Sequence, residues 1–224
     1  MKNTLRDNGL SIGFGLIMIA ALVGQAFAGH SAYNEQQLVE AGRQISLLQY
    51  LTSSEFAVDV AENWQSEYLQ FFLYVYATVW LVQRGSPESK RVGNVGLESD
   101  KEQKVGRYAS DRSPAWARAG GWRTALFSSS LGLVMGLLFL LSWLAQSIAG
   151  QSAFNTERLA RLQDPLTWLE YVGSADFWNR TLQNWQSEFL AMGSIVVISI
   201  YLRQRGSPES KPVGEPHEVT QETG

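Results

Sequence analysis

The feature that most restricts what this chain can become is a repeat. From about residue 25 to residue 93 the sequence matches, without a gap, the residues 121 positions further on. Ala28-Gly29-His30-Ser31-Ala32-Tyr33-Asn34 aligns with Ala149-Gly150-Gln151-Ser152-Ala153-Phe154-Asn155. Asn63-Trp64-Gln65-Ser66-Glu67 recurs unchanged from Asn184 to Glu188, and Arg84-Gly85-Ser86-Pro87-Glu88-Ser89-Lys90 recurs from Arg205 to Lys211. Three matches in one register leave chance no room. Whatever the first copy builds, the second is expected to build again.

Each copy holds two apolar stretches. The first runs from about Leu10 to Ala28, and in the second copy from about Leu126 to Ala149; both lack charged residues and are long enough to cross the hydrocarbon of a bilayer. The second stretches, Tyr68 to Val82 and Phe189 to Leu202, are shorter, and approach spanning length only when Trp64 and Trp185 are counted as interface anchors. A mean hydropathy of -0.11 suits a soluble protein, but it averages bunched apolar runs with polar loops. The expected fold is therefore all-α: a polytopic membrane protein with four transmembrane helices, at about 10–28, 64–83, 126–149 and 185–204, from two parallel two-helix repeats with short exoplasmic helices. The domains expected are repeat one over 1–93, a flexible cytoplasmic linker over 94–121, repeat two over 122–214 and a disordered tail over 215–224.

Orientation follows from basic residues. Lys2 and Arg6, nine Lys or Arg between Arg84 and Arg123, and Arg203, Arg205 and Lys211 fall on one side; only Arg43, Arg158, Arg161 and Arg180 fall on the other. Both termini and the linker are thus expected in the cytoplasm of a bacterium, with the chain in its inner membrane. The run ending Ala26-Phe27-Ala28 also has the form of a signal peptide with its cleavage site. Its counterpart before Gly150 is internal, which favours retention of the first helix.

In the loops, Asn34 with Gln37 reads as a capping-box pair, Asp164-Pro165 as a helix start and Gly173 as a stop, while Ser53 and Ser174 read as caps of long final helices. Small residues four apart, Ser11 with Gly15 and Gly132 with Gly136, predict close helix contact. The first and third helices meeting at a pseudo-twofold axis, or each packing on its partner within a copy, would both account for them.

Two elements are candidates for function. Glu67, Glu188, Gln65, Gln186, Gln25 and Gln146 would line one polar cavity if the copies face each other, able to bind a cation or carry protons. The plainer reading makes Trp64 and Trp185 interface anchors beside water-facing carboxylates. Gly85 and Pro87, with Gly206 and Pro208, read as helix-stop turns, or as a docking turn for a cytoplasmic partner. A net charge of -3 with no basic and aromatic interleaving argues against nucleic acid, and no cysteine with only His30 and His217 argues against a metal centre. No nucleophile-elbow, zinc-protease or dinucleotide motif occurs, so neither an enzyme nor a cofactor is expected.

The duplicated helix pair, with Asn-Trp-Gln-Ser-Glu opening the second helix and Arg-Gly-Ser-Pro-Glu-Ser-Lys closing it, resembles an uncharacterised family of bacterial four-helix inner-membrane proteins. The resemblance covers nearly the whole chain and implies no activity. Two functions are in view: a structural or interaction protein whose partners are the bilayer and another protein or a second copy, and a small transporter or channel acting through the glutamates.

Overall fold

The computed structural model describes residues 7–220; Lys2, Arg6 and the last four residues of the expected tail lie outside the described residues. The helices are α1 (Gly9–Val39), α2 (Leu47–Leu51), α3 (Ser54–Trp80), α4 (Ala115–Ala119), α5 (Gly121–Ser128), α6 (Ser130–Ala160), α7 (Trp168–Val172) and α8 (Ala175–Tyr201), with one 3-10 turn at Gly106–Tyr108. No strand occurs among the described residues. The bounds of α6, α7 and α8 are those of α1, α2 and α3 displaced by the 121 residues of the sequence match.

The long helices α1 and α6 contain no proline and carry an unbroken apolar run, so nothing stops them at the expected ends. Each continues 11 residues past the predicted boundary, to Val39 and Ala160. Both then end the same way. Ala41 and Leu162 take φ of 55°, and the N–H groups of Gly42 and Gln163 close on the carbonyls of Gln37 and Arg158 at 2.7 and 2.8 Å. This Schellman arrangement satisfies orphan carbonyls at the cost of placing two non-glycine residues in the left-handed region.

Asn34 is therefore not a helix start; it lies inside α1. Its amide accepts from the Ile45 N–H at 2.8 Å and donates to the Ile45 carbonyl at 2.9 Å. Asn155 holds Leu166 in the same way, at 2.8 Å in both directions. A side-chain amide offers one donor and one acceptor, which is what an extended backbone residue lacks when no strand lies beside it. His30 and Gln151 reach the same two carbonyls at 2.7 and 2.9 Å. The helix starts also differ from the sequence reading. Ser46 caps α2 in a full capping box with Gln49, and Thr167, not Asp164, caps α7 with Glu170. Ser53 and Ser174 cap α3 and α8 as anticipated, each accepting from the N–H three residues on at 3.3 Å.

The chain packs as two compact units, Met1–Val60 with Ala145–Val172, and Ala61–Leu144 with Gly173–Gly224. In the first, Tyr50 and Tyr171 are buried with their hydroxyls against Gly29 and Gly150, where an added Cβ would collide with Oη. The Tyr50 ring packs on Tyr33 and Phe56, and the Tyr171 ring on Phe154. In the second unit, a Cβ at Gly132 or Gly136 would meet Tyr76 at 2.5 Å or Phe72 at 2.9 Å. These glycines admit aromatic rings of α3, which is neither arrangement expected of them; a Cβ at Gly15 would meet nothing within 4 Å. Trp143 of α6 stacks on Phe139 and Phe177 and touches Trp178 and Trp185 edgewise or at a tilt.

By length and apolarity two helices can cross a membrane, α1 and α6, rather than the four expected. The first halves of α3 and α8 carry Glu55, Asp59, Glu62, Asp176 and Arg180, leaving 13 residues from Tyr68 to Trp80 and from Phe189 to Tyr201. At about 1.5 Å per residue these cover roughly 20 Å, short of a hydrocarbon core of about 30 Å. Only 6% of the apolar window of α1 and 17% of that of α6 are buried inside the protein. A soluble core helix would be mostly covered, whereas these two leave their apolar windows open, which suits association with a membrane.

Candidate functional site

The Asn-Trp-Gln-Ser-Glu elements lie on α3 and α8 in the second unit, and the two copies do different things. Gln65 is fully buried and its Oε1 accepts from Trp185 Nε1 at 2.8 Å, while its Nε2 is buried with no partner. Ser66 donates to Glu188 at 3.4 Å, and Gln70 donates to the Glu188 carbonyl at 3.4 Å. One turn earlier, Arg180 bridges Glu62 at 3.3 Å and Asp176 at 3.5 Å. Glu188 is half-buried and Glu67, exposed, is close enough to repel it.

Of the six residues singled out, this unit contains Glu67, Glu188, Gln65 and Gln186. Gln186 is exposed on α8, and Gln25 and Gln146 belong to the first unit, half-buried on α1 and buried on α6. Trp64 is 49% exposed, whereas its repeat partner Trp185 is turned inward onto Gln65 and Trp143. The interhelical donor Gln70 was not anticipated. It is the one polar amide in the run from Tyr68 to Val75, and that isolation was the signal.

The second pair of elements forms turns beyond the helices. α3 ends at Trp80 and α8 at Tyr201, so Gly85 and Gly206 do not close them. Leu202 takes an extended backbone (φ -96°, ψ 159°) that ends α8, whose last carbonyls accept from the Arg203 guanidinium at 3.0–3.2 Å, and the turn begins two residues later. Gly85 and Gly206 take φ of 85° and 86°, a region costly for other residues. Ser89 Oγ accepts from the Gln83 N–H at 2.8 Å, and Ser210 Oγ from the Gln204 N–H at 2.9 Å. Ser86 and Ser207 accept from the N–H of Glu88 and Glu209, both at 3.2 Å. Pro87 and Pro208, having no N–H, sit between these bonds without wasting a donor.

The lysines finish each turn. Lys90 Nζ donates to the Gly96 carbonyl at 3.1 Å and pairs with Glu98 at 2.9 Å, which together with Gln103 holds the Glu98 carboxyl below its ordinary pKa. Lys211 is 1% exposed, and its three protons go to the carbonyls of Pro216, His217 and Val219 at 3.2, 2.9 and 3.1 Å. Burial, then Arg203, lowers its pKa. Residues 215–220, expected as part of a disordered tail, are thereby held. Between the turns, Glu88 accepts from the Tyr74 hydroxyl at 2.6 Å, and its Oε1 is buried without a donor. Burial raises the Glu88 pKa, the Tyr74 hydrogen bond opposes the rise, and the nearby Glu209 carboxylate adds to it.

The turns also differ at the glycine itself. The Gly85 N–H donates to Thr220 Oγ1 at 2.8 Å, and the His217 carbonyl lies where a Gly85 Cβ would be. A Cβ at Gly206 would meet nothing within 4 Å, and the turn opens on a pocket of about 410 Å³.

Residues 1–222 match the family model described as Domain of unknown function (DUF6766). The chain belongs to this family. No curated protein and no solved structure matches it. The DUF6766 match takes in every helix named above and both glycine turns, so the paired elements lie within one family unit.

Proposed function

We propose that this DUF6766 chain is an integral protein of the bacterial inner membrane with a structural or interaction role and no catalytic activity, built from two copies of a two-helix unit that cross the bilayer four times. The observation that carries the reading is a division of surface: α1 and α6 expose their apolar windows, while the polar groups of α3 and α8 are spent on each other through Gln65, Trp185, Ser66, Gln70 and Glu188. In lipid such interhelical hydrogen bonds hold helices together and keep polar groups from hydrocarbon. On this reading α3 and α8 complete their crossing with those paired polar turns.

The duplication is supported by the common offset of helix bounds, Schellman ends, asparagine clasps and glycine turns. Basic residues favour termini and linker in the cytoplasm. The chain has no cysteine, so single cysteines test this cleanly. A cysteine at Ser110 should react with a membrane-impermeant maleimide only after the cytoplasmic face is opened, and one at Thr52 or Gly173 should react in intact spheroplasts; labelling on the wrong side at any of them refutes the topology.

Transport is the second reading, favoured by the buried, partnerless Gln65 Nε2 and by the proximity of the Glu67 and Glu188 carboxylates to each other. Reconstituted protein that moves cations, with flux abolished in Glu67→Gln/Glu188→Gln, would establish it over the structural role.

A further inference from the structure

The two glycine turns are chemically the same loop in two states. Residue for residue the sequence is identical, the glycine dihedrals agree, and the serine caps agree. In the first, the glycine N–H is satisfied by the Thr220 hydroxyl oxygen. In the second, the Gly206 N–H makes no hydrogen bond among the described residues and Gly206 is exposed. The first loop thus displays what the second lacks: an oxygen acceptor.

The chemistry around the Gly206 N–H narrows the ligand. The pocket is lined by Arg205, Gly206, Ser207, Ser210, Lys211 and Val213, among others, with no carboxylate in its wall. Ser210 and Lys211 bring no free donor, since the Ser210 hydroxyl is spent on the Lys211 carbonyl and the Lys211 ammonium on its three carbonyls. What remains is the Arg205 guanidinium, unpaired among the described residues, the Gly206 N–H, and the Ser207 hydroxyl proton, whose oxygen already accepts from Glu209. These donors, one of them cationic, in a wall that holds the neutral Gln204 carboxamide but no carboxylate, favour an anion, and a guanidinium with a backbone N–H suits a phosphate oxygen pair. The pocket begins three residues beyond α8, beside the exposed apolar side chains of Tyr201 and Leu202. An anion held there has hydrocarbon next to it.

We propose that the Gly206 turn binds the phosphodiester of an anionic phospholipid headgroup, with Arg205 and the Gly206 N–H on the phosphate oxygens and Ser207 as a further donor, while the Gly85 turn is closed to the same ligand by Thr220. The lipid identity rests on the membrane reading above; the anion chemistry of the turn does not. A headgroup phosphodiester, of order 100 Å³, fits within about 410 Å³ and leaves room for its glycerol.

The test uses the full chain in a neutral mild detergent, titrated with short-chain phosphatidylglycerol and, separately, with short-chain phosphatidylcholine and inorganic phosphate, followed by the Gly206 amide resonance and by native mass spectrometry. Phosphatidylglycerol should shift the Gly206 resonance and leave that of Gly85 in place. Arg205→Gln should weaken it roughly tenfold or more, the loss of one charge-assisted contact, while Arg84→Gln stays within about twofold. Equal effects of the two substitutions would mean unspecific attraction and overturn the proposal, as would an Arg205→Gln that binds like the parent. Displacement by inorganic phosphate at the concentrations of phosphatidylglycerol itself would assign the turn to free phosphate and overturn the lipid assignment. A protein that stays in solution without detergent would instead sink the membrane reading, an outcome visible before any ligand is added.

Discussion

Gly150→Ala sets two known effects against each other at one atom. Gly150 lies inside α6, where alanine is favoured over glycine by about 1 kcal/mol. Against this, the new Cβ would overlap Tyr171 Oη and lie 3.0 and 3.1 Å from Cζ and Cε1, where carbon atoms rest best at about 3.5–4.0 Å. The ring has nowhere to retreat, since Tyr171 is 0% exposed and packs on Phe154 at 5.6 Å. Overpacking of this kind costs about 1–3 kcal/mol, so the variant should be less stable by about 1 kcal/mol despite its better helix propensity. Removing the hydroxyl relieves the worst overlap, and Gly150→Ala in a Tyr171→Phe background should fall within about 0.5 kcal/mol of neutral. Gly24→Ala, inside α1 with nothing within 4 Å, supplies the reference and should gain up to about 1 kcal/mol. Reversible unfolding in mixed micelles, run on the four members of the cycle and the reference, reads each value. A Gly150→Ala that stabilises as much as Gly24→Ala would mean that Tyr171 does not occupy the notch, and the account of the first unit would fail with it.

Other outcomes follow from the same contacts. Glu88 has a raised pKa in the folded chain, so the folded state holds a proton that the unfolded state has released, and stability falls as pH rises from the ordinary carboxyl value through the raised one. Glu88→Gln should remove that slope and melt higher than the parent near neutral pH; melting curves between about pH 4 and pH 8 that stay parallel would contradict it. Gln65→Leu strips the acceptor from Trp185 Nε1 and should cost about 1–2 kcal/mol, whereas Gln186→Leu, at an exposed position, should be near silent; equal losses in the same unfolding assay would remove the distinction drawn between the two copies. Asn155→Asp keeps the acceptor for the Leu166 N–H but sets a carboxylate oxygen 2.8 Å from the Leu166 carbonyl, and should destabilise the first unit by about 1–3 kcal/mol at neutral pH with partial recovery in acid. Hydrogen exchange at Leu166 measures it, and unchanged protection would dissociate the loop from the clasp.

Much of the helical plan was legible in the sequence because apolar runs and caps are local signals. The long helices and the serine caps at Ser53 and Ser174 are such cases. Asn34 was misread for a physical reason: a helix-capping residue and a mid-helix amide that stitches a returning loop have the same side chain, and only the distant Ile45 distinguishes them. Gly132 and Gly136 announced a close approach without naming the partner, since a missing Cβ records that something is near and not that it is Tyr76 and Phe72. The glutamine cluster was half seen. Identical pentapeptides suggested identical roles, yet Gln65 is buried and Gln186 exposed; Trp143 in α6, whose repeat counterpart is Leu22, gives Trp185 an aromatic neighbour.

The asparagine clasps have a bearing on where the protein can work. An amide neither gains nor loses a proton at any pH a cell meets, so Asn34 and Asn155 keep their grip on Ile45 and Leu166 in acid and alkali alike. The glycine turns, by contrast, are tied down by Glu88, Glu98 and Lys211, whose charges respond to the medium. With the clasps facing outward and the turns inward, as proposed, the weather-proof stitching meets the unregulated surroundings, and the titratable knots stay on the side that a cell buffers for itself.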